Sequence, residues 1–218
     1  MTNSRILGGS RVGAETLLGW DVIIGHPSKS SLLEKRDFEA SAGAVIGRRC
    51  ILRSGTVIYE NAVLGDDVQT AHHVVVREGA VVGDGCALGN GTVIQGLAKL
   101  GRNVRLMEGV EISEAAEIGD DVFIGPGVSL TGGRFMTGAL QASGKMTFAE
   151  AKALEGRSWE GPSVVIESGA RVGANAVILA GVRLGKECMV AAGSVVSADV
   201  APGILVGGNP ARVLKKLV

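Results

Sequence analysis

Aliphatic residues return at every sixth position over most of this chain. From Ile46 it divides into hexads such as IGRRCI, LRSGTV, IYENAV and LGDDVQ. Fourteen of the fifteen first positions from 46 to 130 are Ile, Leu or Val, and the exception is Thr70. The fifth position is always small or β-branched, from Cys50 and Thr56 to Val122 and Val128. The same spacing appears at Ile6, Val12, Leu18 and Ile24, and again from Ile166 through Val172, Ile178, Leu184 and Val190 to Val196. An α-helical period of 3.6 residues does not fit a repeat of six. Strand alternation does, because it points the first and fifth positions of each hexad the same way. Each hexad therefore reads as a short strand and a tight turn, one side of a triangular coil that closes after three hexads. Coils stacked at the ~4.8 Å spacing of paired strands make an all-β parallel solenoid, held by contacts between neighbouring repeats.

The repeat spans 1–208 with two interruptions. The first, about 29–44, reads KSSLLEKRDFEASAGA and predicts a loop or short surface helix. The second, about 132–163, contains TFAEAKALEG, with Thr147 as N-cap, Glu150 three positions later and Gly156 as a stop. Long excursions from a regular scaffold often carry function. After the last hexad, Pro210 followed by ARVLKKL predicts a short basic C-terminal helix over 209–218, capping the open end of the stack.

Composition agrees with a narrow, repetitive interior. There are 34 glycines against two Trp, one Tyr and four Phe. Lys plus Arg and Asp plus Glu number 22 each, which removes the electrostatic case for a nucleic-acid or membrane-surface partner. With no signal peptide and no run of about 18 apolar residues, a soluble cytoplasmic protein is expected. Cys50, Cys86 and Cys188 all occupy the fifth slot and read as inward apolar fillers rather than nucleophiles.

Two of the three histidines, His72 and His73, fall in the hexad TAHHVV. Thr70 and Val74 take the inward slots, so both imidazoles sit at the turn and project outward. Imidazole titrates near neutrality and suits general-base work. Residues eighteen apart stack, so Ser54, His72, Asn90 and Glu108 should form a column. The histidines lack the spacing of a zinc site, and no metal is expected.

The hexads, together with the closing segment GGNPARVLKK, resemble the hexapeptide-repeat, left-handed β-helix acetyltransferases. The resemblance implies a left-handed coil, acetyl-CoA as cosubstrate, and a homotrimer with active sites between subunits. It also implies direct transfer without a covalent intermediate. In several of these enzymes a Gly-His or Ala-His pair in the second and third hexad positions supplies the general base, matched here by Ala71 and His72. The residue one coil onward supplies an N–H to the oxyanion, matched by Asn90.

Residues 52–85 are most similar to N-acetyltransferases of nucleotide-linked amino sugars, of the kind linked to bacterial and archaeal surface-glycan genes. Arg77 and Glu78 belong to that similarity. With His73 and Glu108 they are the candidate acceptor contacts. Some relatives place a carboxylate after the base, where this chain has His73, so Glu108, Glu78 or a backbone carbonyl must orient the imidazole. Near Leu130 those relatives continue into Asn-Asp and Tyr-Pro pairs, where this chain reads SLTGGRFMTG.

For the donor, Ala180, Gly181, Ala191, Ala192 and Gly193 are small turn residues that would let backbone approach the pantetheine arm. Arg212, Lys215 and Lys216 offer charge to the phosphates. Amine and hydroxyl acceptors remain alternatives, as does a noncatalytic binding solenoid. Tyr59, Phe135 and Trp159 could stack on a base, but none holds a diagnostic position.

Overall fold

The computed structural model describes residues 3–132, 144–147, 150 and 161–217. Two-residue strands such as Val75–Val76, Val81–Val82 and Ala87–Leu88 alternate with turns. They assemble into three faces of nine, eight and ten strands among the described residues, parallel throughout except for the last strand of the third. Val75–Val76 lies on face 1, Val81–Val82 on face 2 and Ala87–Leu88 on face 3. Within a face the register advances by eighteen residues, as in Val57 to Val75 to Val93. Three hexads therefore close one coil, and the solenoid expected from the period is the fold.

First and fifth positions fill the interior. Ile58, Val74, Ala80, Ile94 and all three cysteines are fully buried. Burial pushes the Cys86 and Cys188 thiols up to about 11 and raises Cys50 as well, so none is a ready thiolate. Thr70, the one polar first position, is only 1 % exposed. Its hydroxyl pairs with the Thr56 hydroxyl at 2.9 Å and accepts from the Arg53 N–H at 3.1 Å. The core therefore absorbs it without an orphaned polar atom.

The register jumps twice, where Arg11 pairs with Val45 and where Glu117 pairs with Val165. The first jump contains a helix, Lys29–Lys35, N-capped by Ser28, whose hydroxyl accepts from the Ser31 N–H, and closed by Arg36 in the left-handed region. In the second, the Glu150 N–H donates to the Thr147 hydroxyl, while the Thr147 N–H donates back to the Glu150 carboxylate. That is a capping box; Gly156 lies outside the described residues.

The C-terminal helix expected over 209–218 is not there. Ile204–Gly208 pairs parallel with Met189–Val190, and Ala211–Lys216 folds back on it antiparallel. An isolated helix of seven residues is marginal in water, whereas the open edge of face 3 offers a ready ladder of backbone groups. Val206 is 5 % exposed and joins the core, so this hairpin performs the capping assigned to the helix.

Candidate active site

Where face 3 turns into face 1, a corner carries the third and fourth hexad residues outward. His72 and His73 are both exposed here, their ring centroids 6.4 Å apart. The hexad requires a left-handed residue at its fourth position, and His73 takes it with φ of 56°. One coil below, Gly55 has φ of 75°, and a Cβ there would lie 2.3 Å from His73 Nδ1. The His73 ring thus lies over Gly55, and the His73 backbone N–H donates to the Ser54 carbonyl at 3.1 Å.

The stacking column is present. The His72 N–H donates to Asn90 Oδ1 at 2.9 Å, the Gly91 N–H to the His72 carbonyl, and the Gly109 N–H to the Asn90 carbonyl. Several corners share this pattern, in which the third-position N–H donates to a side-chain oxygen one coil on. Trp20 uses Ser54, Arg48 uses Asp66, Asp66 uses Asp84 and Arg102 uses Asp120. Asn90 does not follow it: its own N–H, like those of Ser54, Asp84 and Glu108, makes no hydrogen bond among the described residues. An outward N–H thus stands one coil from an outward imidazole, a pairing that can accept a proton and steady an oxyanion.

On the face 3 side of this corner runs a groove floored by Ala71, Ala87 and Gly89, with Arg53 and Gln69 at one end and Met107 and Glu108 at the other. A Cβ on Gly89 would come within 2.4 Å of the Met107 backbone, so close coil packing explains that glycine without invoking a ligand. Glu108 stands two coils from His72, and among the described residues neither it nor any other group hydrogen-bonds the His72 ring.

The remaining sequence-selected residues lie apart. Ala191, Ala192 and Gly193 share the histidine corner but sit five coils further on, ~24 Å by strand spacing. Arg77, Glu78, Ala180 and Gly181 occupy the next corner, the arginine corner, where face 1 turns into face 2. Arg77 and Glu78 pair with each other at 2.7 and 2.9 Å. Burial pulls the Glu78 carboxyl upward, but the Arg77 hydrogen bond and charge, with the Glu78 backbone N–H, together hold the group below its ordinary value. Arg212 and Lys215 are exposed on the terminal hairpin.

Reading the sequence alone missed Glu60, which is 2 % exposed on the same corner. It accepts from the Ser28 N–H at 2.8 Å, the Ser31 hydroxyl and the Ala42 N–H at 3.0 Å. Burial raises its pKa, yet these hydrogen bonds prevail and hold it at about 2. Its place at a third hexad position, normally a polar outward slot, gave no signal of burial. Among the described residues no cluster of three or more His, Cys, Asp or Glu is arranged to hold a metal ion, and no helix is long and apolar enough to cross a membrane.

A family model described as bacterial transferase hexapeptide (six repeats) matches residues 61–96, 98–132 and 163–198. Comparison with curated protein sequences finds no match. Among solved structures, the UDP-N-acetylglucosamine O-acyltransferase from Moraxella catarrhalis RH4 superposes with a TM-score of 0.65 at 16% identity, covering 99% of this chain and 73% of that one. The UDP-N-acetylglucosamine acyltransferase from Arabidopsis gives 0.55 at 15% identity, with the same coverage of 99% and 73%. A mutant perosamine N-acetyltransferase from Caulobacter crescentus, in complex with CoA and GDP-perosamine, gives 0.44 at 19% identity over 74% of this chain and 57% of that one. At these identities the likeness is one of fold. Six-residue repeats matched in three blocks, on a prism that superposes along nearly its whole length, show that the chain belongs to the bacterial hexapeptide transferases and that its solenoid is a left-handed β-helix.

Proposed function

We propose that the protein is an acetyl-CoA-dependent N-acetyltransferase acting on the amine of an amino sugar, nucleotide-linked, in surface-glycan biosynthesis in the cytoplasm. The observation that carries this reading is the exposed His72 imidazole, one coil from the unpaired Asn90 N–H and beside a groove of small side chains. The neutral amine attacks the thioester carbonyl, and a C–N bond forms as the carbonyl oxygen takes negative charge. The Asn90 N–H donates to that oxygen while His72 takes the proton from nitrogen. Collapse breaks the C–S bond, and the departing thiolate is protonated by the imidazolium. In this reading the groove over Ala71 and Ala87 admits the acyl-bearing end of the donor. Ala191, Ala192 and Gly193 lie along the path of the pantetheine arm, with Ala180 and Gly181 at the neighbouring corner, and Arg212 and Lys215 meet the phosphates.

A homotrimer follows from the same reading. The outward positions on face 1 include Ile23, Val57, Val75, Val93, Val177 and Val195, a stripe of apolar side chains. Turned toward a threefold axis, that stripe would meet other copies and set the histidine corner of one beside the arginine corner of the next. His73, Arg77, Glu78 and Glu108 then become acceptor contacts drawn from two copies.

The test is thiol release from acetyl-CoA against a panel of amino-sugar nucleotides, free amino sugars, plain sugars and amino acids. N-acetylation gives a product that survives alkaline hydroxylamine, whereas an O-acetyl ester is cleaved to the hydroxamate, which separates amine from hydroxyl acceptors. Silence with every acceptor, with no binding of coenzyme A, would leave a binding solenoid instead.

A further inference from the structure

Both departures from the eighteen-residue register leave the prism at the arginine corner, after His26 and after Thr131, and rejoin it before Val45 and Val165. At the first of these exits the corner gathers three rings. The chain's only tyrosine, Tyr59, lies 4.7 Å from the His26 ring, and Phe38 meets His26 edge-on at 5.9 Å and 77°. The Arg77 guanidinium sits 4.8 Å over the Tyr59 ring. Its Nε and Nη2 donate to Glu78, while Nη1 has no partner among the described residues.

Anchoring the first excursion does not require these rings. Glu60 already pins Ser28, Ser31 and Ala42 to the coil from a buried position. Phe38 is 57% exposed, which wastes the ring if its task is packing. Arg77 and Glu78 keep about a third of their side-chain surface open. An accessible aromatic face, a guanidinium with a spare donor edge and a carboxylate with spare acceptor sites match three parts of one ligand: a base to stack, a phosphate and ribose hydroxyls.

We propose that the arginine corner is a recognition subsite for a nucleoside diphosphate. The base stacks on Phe38 beside Tyr59 and His26, the diphosphate accepts from Nη1 of Arg77, and the ribose hydroxyls donate to Glu78. This rests on the acceptor reading above for its purpose, since the nucleotide is the handle of a nucleotide-linked amino sugar.

Calorimetric titration of the full-length protein with UDP, GDP and dTDP, and separately with uridine and pyrophosphate, tests the proposal. At least one diphosphate should bind more tightly than nucleoside or pyrophosphate alone. Phe38→Ala and Arg77→Ala should each weaken it by about tenfold or more, the scale of one lost base–aromatic stack. Coenzyme A affinity should not change in either, and Arg102→Ala on the opposite corner should leave nucleotide affinity intact. No binding of any diphosphate, or binding that survives both substitutions in proteins with unchanged melting curves, overturns it. Thiol release with a free amino sugar but no nucleotide binding removes the subsite and spares the transferase. Nucleotide binding at the corner without acetyl transfer to any acceptor does the reverse.

Discussion

At the scale of single residues, a hexad slot tells each side chain where to go, and chemistry then depends on what lies one coil away. His72 occupies a turn slot and is therefore outward, but only stacking sets Asn90 beside it. His72→Ala should lower turnover by about 10² or more, while coenzyme A affinity holds. A steady-state assay with parallel calorimetry measures both, and an unchanged rate would return His72 to the surface. Gly55 illustrates a glycine required twice, by its φ of 75° and by the His73 ring above it. Gly55→Ala should cost about 1–2 kcal/mol, from the left-handed backbone and the displaced ring. Thermal melts measure that cost, and the rate under acetyl transfer reports whether moving His73 disturbs its neighbour.

At the scale of elements, short strands and a short helix owe their existence to what they join. The helix Lys29–Lys35 buries none of its residues, so its position depends on Glu60. Glu60→Gln places an amide donor where a carboxylate oxygen faced N–H and O–H donors. It should destabilise the protein by about 1–3 kcal/mol, the cost of stranding buried donors. The pH dependence has a definite sign. The folded-state pKa of about 2 lies below the model-peptide value of 4.5, so this contribution is present above about pH 4.5 and is lost as pH falls toward 2. Denaturation from pH 7 to pH 2.5 should show wild type and Glu60→Gln converging in stability at the acid end. The terminal hairpin makes the complementary point: Ala211–Lys216 is a strand because an unpaired sheet edge was within reach.

At the scale of the molecule, stability adds along one dimension, each coil resting on its neighbours. Deleting residues 95–112 removes one whole coil and rejoins Ile94 to Ser113 in phase. That variant should keep a single cooperative melting transition. Deleting 95–97 instead leaves one side of a coil three residues long, too short to cross a face. It should lower Tm by about 10 °C or more, a loss of a few kcal/mol for a chain of this length. Circular dichroism melts distinguish the two, and equal damage from both would contradict the stacked-coil account. The same additivity makes a corner a continuous column, so that the proposed base and donor groove can share one edge of the prism and the proposed nucleotide subsite the next.

What the sequence determined by itself was periodic. First and fifth positions point inward in every hexad because alternation along a strand is a local property, and that was enough to give the coil, the eighteen-residue register, the buried cysteines and the outward histidines. The Thr147–Glu150 cap was legible for the same reason, its partners being three residues apart. What only the tertiary structure decided was everything that depends on neighbours distant along the chain. Glu60 is buried because an excursion folds back over it, Phe38 meets His26 and Tyr59 because that excursion returns, and the terminal segment is a strand because a sheet edge outbid a short helix. Contacts across a fold carry no period, so they leave no mark in the spacing of residues.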